Sequence, residues 1–397
     1  MSRAIKDSGI PWIGEIPKEW MFLRFKFAGK FVKGKLPETS NNENIGLPII
    51  GASEILGKEC RLYTEDVNIP TCTLNDVIIL WDGANAGITA TNLEGVISST
   101  AVKYSCKDNR VYKKYMAFLM KYAEYYFKEK VGGTTIPHMN IEYINDFPLL
   151  CPTLDEQRAI ADFLDVKCAE VDELIALQEK MIDELKVYKQ SVITEAVTKG
   201  LNPDVPLKDS GIEWIGQIPE HWRMKKLKNI LRTSLQYGAN ESGIPYNENL
   251  PRYVRITDIT TDNTLKEDID KQSLTEKQAK GYILKDKDIL FARSGATVGK
   301  SFMYNQHYGI CAFAGYLIKA SIDIYNSPKF IHYYTLTHSY EEWKKQIFIQ
   351  ATIQNIGADR YAQLILPIPP IEEQQQIADY LDTKCVEIDE MTSIKQL

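Results

Sequence analysis

The chain says almost the same thing twice. KDSGIPWIGEIPKEW at Lys6–Trp20 returns as KDSGIEWIGQIPEHW at Lys208–Trp222, about half a chain later. A second pair follows each of these: DEQRAIADFLDVKCAEVDE (Asp155–Glu173) is echoed by EEQQQIADYLDTKCVEIDE (Glu372–Glu390), identical at 12 of 19 positions. Between the matching markers, Met21–Leu154 and Arg223–Ile371 share little. A duplicated frame holding two divergent inserts suits a molecule that performs one kind of recognition twice, on two different targets.

With 397 residues the chain has room for two or three domains, each with its own core. No apolar run approaches the roughly 18 residues of a membrane span, and the polar start MSRAIKDSG is not a signal peptide. The seven scattered cysteines contain no CxxC and read as reduced thiols of a cytoplasmic protein.

The net charge of −6 argues against nucleic acid only until it is divided along the chain. Residues 1–150 carry 18 basic and 17 acidic groups, and residues 208–370 carry 21 and 17; residues 151–207 carry 6 and 12, and residues 371–397 carry 2 and 7. The acid sits in the repeated segments, and the inserts are free to face phosphate.

The repeated acidic segments read as long helices. From Leu154 a seam at Leu164, Lys167, Val171, Leu174, Gln178, Met181, Leu185, Tyr188 and Val192 steps by three and four, the spacing of a coiled coil, until Gly200 and Pro203 stop it. Leu381, Lys384, Ile388, Met391 and Lys395 continue the same seam in the second copy, which is shorter. Two such stripes in one chain predict an antiparallel pair and a pseudo-twofold internal repeat. The second copy is either cut short or completed by a partner.

Each insert reads as mixed α/β (α+β). LPIIGA (Leu47–Ala52), DVIILW (Asp76–Trp81), GVISSTAVKY (Gly95–Tyr104) and DILFAR (Asp288–Arg293) are strand-like; Tyr112–Lys130 and Ser327–Gln346 are amphipathic helices whose aromatic faces belong to the core. The division is therefore 1–153, first insert; 154–200, central helix; 201–370, second insert; 371–397, C-terminal helix.

Catalytic chemistry is hard to find. GATVGKS (Gly295–Ser301) is one residue short of a phosphate-binding P-loop and reads as a Gly-rich turn, with Arg293 and Lys300 directed at something anionic. There is no G-x-G-x-x-G opening a strand–helix unit and no Asn/Asp-Pro-Pro-aromatic tetrapeptide. The five histidines do not pair with cysteines at metal-ligand spacing, and His332 and His338 lie six apart on one predicted helix.

Nucleic-acid binding has a diffuse signal in six loops that form two matched sets. The first insert offers Lys33 and Lys35, then Asn85 in WDGANAG, then Thr134, Thr135 and His138. The second offers Gln236, Tyr237 and Asn240, then Arg293, Ser294, Thr297 and Lys300, then Thr352, Gln354 and Asn355. Arg reads guanine edges and Asn or Gln reads adenine, while Ser, Thr and Lys hold phosphate. Any one loop alone reads as a solvated turn; six in register, on the non-acidic inserts, make the joint case.

KDSGI-x-WIG-x-IP-x-x-W, the P-x-P-P-x-x-EQ of Pro367–Gln374 and the IAD-[FY]-LD-x-K-C-x-E-[VI]-DE helix together resemble the specificity subunit of type I restriction-modification systems, over essentially the whole chain. The first repeat departs from it in writing CPTLDEQ (Cys151–Gln157) without the double proline. The resemblance implies two target-recognition domains, each reading one half of a split sequence in double-stranded DNA, separated by long conserved helices that form an antiparallel coiled coil. It implies no catalytic residues and no cofactor on this chain. S-adenosylmethionine, ATP and Mg would belong to the methyltransferase and restriction endonuclease subunits that it docks, with Leu164, Val171, Leu174, Met181, Leu185, Leu381, Ile388 and Met391 as the docking helices' apolar positions. Two rivals stand beside this reading: a coiled-coil adaptor whose ends bind protein, and a fragment of a fused restriction-methylation enzyme.

Overall fold

A computed structural model describes residues 3–10, 13–129, 137–260, 263–266, 270–295, 297–349 and 355–394. The chain divides into two compact units, Met1–Ile175 and Ala176–Leu397, so that the central helix Leu154–Lys199 contributes to both.

Each unit contains one copy of the repeated frame, folded as a two-stranded hairpin. Ile5 pairs with Pro17 and Asp7 with Glu15; Leu207 pairs with Pro219 and Asp209 with Gln217, in the same register. The Asp7 carboxylate accepts from the Gly9 amide and the Asp209 carboxylate from that of Gly211, each at 2.9 Å, which explains why Asp-x-Gly recurs. The frame then meets the start of a long helix. Arg3 pairs with Glu156 in the first unit, and His221 Nε2 lies 2.8 Å from Glu373 in the second.

The inserts, unlike in sequence, are alike in topology. In the first unit a four-stranded sheet runs in the order Gly29–Lys33, Ala101–Cys106, Val77–Leu80, Thr89–Ala90; in the second the order is Gln236–Tyr237, Leu317–Ala320, Ile289–Ala292, Ser301–Met303. A second sheet in each contains a parallel pair, Leu47–Ile50 with Gly95–Ile97 and Arg252–Val254 with Cys311–Phe313. The predicted strand Gly95–Tyr104 is thus two strands, divided at residues 98–100, that serve different sheets.

An Asp–Ser pair recurs in these sheets, each aspartate standing immediately before a strand, Val77–Leu80 or Ile289–Ala292. Ser105 Oγ donates to Asp76 at 2.7 Å, as Ser321 Oγ donates to Asp288 at 2.6 Å. Burial opposes the charge on Asp76, but the Thr73 amide, the Ser105 and Thr73 hydroxyls and Lys103 together hold its carboxyl below the ordinary value.

The predicted helix over Ser327–Gln346 is two helices, Pro328–Tyr334 and His338–Ile349. Two hydroxyls account for the break. Thr335 donates to the His332 carbonyl at 2.5 Å, and Thr337 donates to Tyr334 and accepts from the Tyr340 amide at 3.1 Å, capping the next helix. His332 and His338 therefore lie on different helices. The aromatic faces are core in part: in one unit Tyr115 and Phe127 are buried while Tyr122 and Tyr125 are exposed, and in the other Phe330, Tyr334, Tyr340 and Trp343 are buried.

In the second unit the central helix and the C-terminal helix Ile371–Ile394 lie antiparallel. Gly200, its φ of +78° closing the central helix, lies against Glu373, whereas Lys189 pairs with Asp389 at 2.7 Å. The packed face differs from the predicted one. Leu381 and Ile388 are buried as expected, but near its C-terminal end the central helix buries Ile193, Ala196, Val197 and Thr198, while Tyr188 is exposed. A straight α-helix drifts about 20° per heptad from a strict seven-residue repeat, so four heptads from Leu164 shift the inward face by nearly one residue. Val171, Leu174, Met181 and Met391 are exposed; Leu164 and Leu185 are half-buried.

Candidate nucleic-acid interface

Strand register brings the candidate loops together, at the same place in each unit. Lys33 is paired with Val102, next to Ala101, which faces Leu80; Tyr237 is paired with Ile318, next to Leu317, which faces Ala292. Lys33 and Tyr237 hence occupy one structural position. Trp81 and Arg293, the residues that leave the neighbouring strand, occupy another.

The backbone at that second position is clamped identically. The Trp81 amide donates to Thr100 at 2.8 Å and its carbonyl accepts from Met139 at 3.0 Å. The Arg293 amide donates to Tyr316 at 3.0 Å and its carbonyl accepts from Ile356 at 2.8 Å. One residue further on, Asp82 bridges to His138 and Ser294 to Asn355.

Two glycines make the crowding at this junction possible. A Cβ on Gly34 would lie 2.1 Å from the Ser98 carbonyl, and one on Gly238 would lie 2.3 Å from that of Ala314. The turns beyond Trp81 and Arg293 use positive φ at Gly83 and Gly87, and at Gly295 and Gly299. GATVGKS runs from this turn into the strand Ser301–Met303, not into the helix that a P-loop requires.

The side chains displayed on this shared backbone differ. In the first unit Lys33 Nζ lies 3.2 Å from Asp82, so the cation is matched by a carboxylate, and Trp81 is buried. In the second unit the Arg293 guanidinium lies 4.9 Å from the centroid of the Tyr237 ring. The Tyr237 hydroxyl accepts from the Ala358 amide at 2.9 Å, which fixes the ring. Among the described residues no carboxylate pairs with Arg293, and its Nε is shut from solvent without a partner. An arginine stacked on an aromatic face keeps its planar fork available for a ligand.

The remaining candidates scatter. Lys35 and Asn85 are exposed on their loops, and exposed Asn240 packs its side-chain oxygen against Gly315. Gln236 alternates to the other side of its strand and donates to the Gly281 carbonyl at 2.9 Å. Thr297 Oγ1 is buried without a partner among the described residues. Lys300 does not accompany Arg293, as the sequence had suggested; its Nζ donates to the Thr260 carbonyl at 3.4 Å, and it lines a groove of about 810 Å³ with Lys189 and Lys344. Thr134, Thr135, Thr352 and Gln354 lie outside the described residues. Trp81 and Asp82 are the residues overlooked, although WDG stands before its turn as RSG stands before its own.

Two crowded junctions with one backbone and two chemistries, each on a domain joined to a long helix, define a protein that presents paired recognition surfaces. Residues 17–187 and 219–397 match the family model of the type I restriction modification DNA specificity domain, and the chain belongs to that family. It is 25% identical over 394 residues to the type I restriction enzyme MjaVIII specificity subunit of Methanocaldococcus jannaschii, covering 96% of this chain and 88% of that one. It is 23% identical over 392 residues to the EcoBI specificity subunit of Escherichia coli, covering 95% and 81%. The fold is that of a chain solved in work on complex assembly and conformational transition of the type I R-M system (TM-score 0.70, 18% identity, 96% and 94% covered). It also matches the HsdS subunit of Thermoanaerobacter tengcongensis (TM-score 0.52, 16% identity, 98% and 93% covered). No described helix is long and apolar enough to cross a membrane.

Proposed function

We propose that the chain is the DNA-specificity subunit of a type I restriction-modification complex, each insert domain reading one half of a split target in double-stranded DNA. The observation that carries this reading is the pair of equivalent junctions: Lys33, Trp81, Asp82 and His138 in one domain stand where Tyr237, Arg293, Ser294 and Asn355 stand in the other. One scaffold with two different sets of side chains suits two different ligands of the same class, and a duplex with two unlike half-sites is such a ligand.

The subunit brings no catalysis of its own. Methyltransferase subunits carrying S-adenosylmethionine, and restriction subunits carrying ATP and Mg, supply the chemistry in the cytoplasm. Exposed Val171, Leu174 and Met181 on the central helix support the docking of partner helices there. The test is single-molecule sequencing of DNA from cells that express the chain with its methyltransferase subunit. A split motif with adenine methylated on both strands, lost when the chain is omitted, is expected. Unchanged methylation in the presence of a soluble complex would favour a protein-binding adaptor.

A further inference from the structure

We propose that Arg293 is the guanine-reading residue of the second domain, and that Tyr237 is the platform that sets its guanidinium. This rests on the DNA-specificity function above and names one contact within it. The Cα of Arg293 is fixed by hydrogen bonds to Tyr316 on one side and Ile356 on the other. The Tyr237 ring is fixed by its place on the sheet and by the Ala358 amide on its hydroxyl. Both halves of the 4.9 Å cation–π contact are thus in position before any ligand arrives, and little side-chain freedom is lost on binding.

The donors left over specify the ligand. Arg293 Nε is buried and unpartnered, whereas neither Nη atom is buried or bonded among the described residues. Two parallel terminal N–H groups on a fixed plane match two acceptors side by side, and the O6 and N7 of guanine in the major groove are that pair. A phosphate also accepts such a fork, but loss of a phosphate contact weakens all targets alike, whereas a base contact discriminates at one position. The first domain has no fork at the same position: Trp81 is buried there, and the neighbouring Lys33 is matched by Asp82. The two domains therefore differ at the address where one of them carries its best base-reading group.

The experiment compares methylomes written by the intact complex with the wild-type chain, Arg293→Ala, Arg293→Lys and Tyr237→Ala. The wild-type motif is expected to contain a guanine in one half-site, and Arg293→Ala to relax that single position by roughly five- to a hundredfold while the other half-site stays intact. Arg293→Lys should fail to restore the preference, because a lysine has no fork, and Tyr237→Ala should weaken it. If Arg293→Ala abolishes methylation altogether, the wild-type complex is assayed on DNA carrying 7-deazaguanine at each guanine in turn. A drop at one position in one half-site then supports the contact, and no drop at any position overturns it.

Two other results overturn the proposal: a motif without guanine in either half-site, or a uniform loss of affinity across target variants with a shallower salt dependence, the mark of a phosphate contact. Absence of chain-dependent methylation by the wild type would instead remove the function on which the contact rests, and the contact with it.

Discussion

The buried side chain of Gln374 accepts a hydrogen bond from the Ser327 amide at 2.7 Å. In the other unit Gln157 accepts from the Tyr112 amide at 2.8 Å. Each glutamine also donates from Nε2 to the carbonyl five residues back, Pro369 or Pro152, at 2.9 Å. The glutamine common to both repeats is therefore a buried clasp between a long helix and the helix that opens beside it. Gln374→Ala leaves a buried amide and a buried carbonyl unpaired and should cost about 2–4 kcal/mol in chemical denaturation of the intact chain. Gln374→Glu should also destabilise, since a carboxylate cannot donate to Pro369. Wild-type midpoints in both variants would show that the clasp contributes nothing.

Glycine at 34 and 238 is a matter of space. Gly34→Ala and Gly238→Ala each drive a methyl group into backbone carbonyls, which cannot rotate away. Each should lower stability by about 2–4 kcal/mol. Gly295→Ala meets only the Ile256 side chain, at 3.5 Å, and pays for its φ of +78° alone, about 1 kcal/mol. Thermal melts of the three variants check the order.

Burial pushes the His332 imidazole down to about 4, with Nε2 shut from solvent and unpartnered among the described residues. The unfolded chain takes up this proton near pH 6.5 and the folded chain only near 4. The stabilisation is complete above about pH 6.5 and drains away as pH falls from there to about 4, by up to about 3 kcal/mol. His332→Leu should flatten the stability profile over that interval in urea titrations at several pH values. An unchanged slope would place the titration elsewhere.

Removing four residues from the Ile175–Val187 stretch takes out about one helical turn, roughly 6 Å of rise. Methylome sequencing should then find the unspecified spacer shortened and both half-sites unaltered. An unchanged spacer would disprove a ruler role for this helix.

What was legible in the sequence is what local chemistry decides. Asp-x-Gly in the frame makes its own turn, Gly200 ends the central helix, and the paired glycines after Trp81 and Arg293 make matching turns. What escaped depends on partners far away in the chain. The equivalence of Lys33 with Tyr237 is created by pairing with strands some seventy to eighty residues on. The repeated Asp–Ser clusters were hidden because Asp76 and Ser105 lie closer together in sequence than Asp288 and Ser321 do. The helix seam was placed one residue off, because a seven-residue repeat is only an approximation to the α-helix.

The clamp at Trp81 and Arg293 uses backbone atoms alone. At Trp81 the buried ring also belongs to the core, but at Arg293 nothing in the clamp consults the side chain it carries. Such an address can be rewritten by point substitution without repeal of the fold, so that a lineage under pressure from changing viruses could revise its recognised sequence one letter at a time.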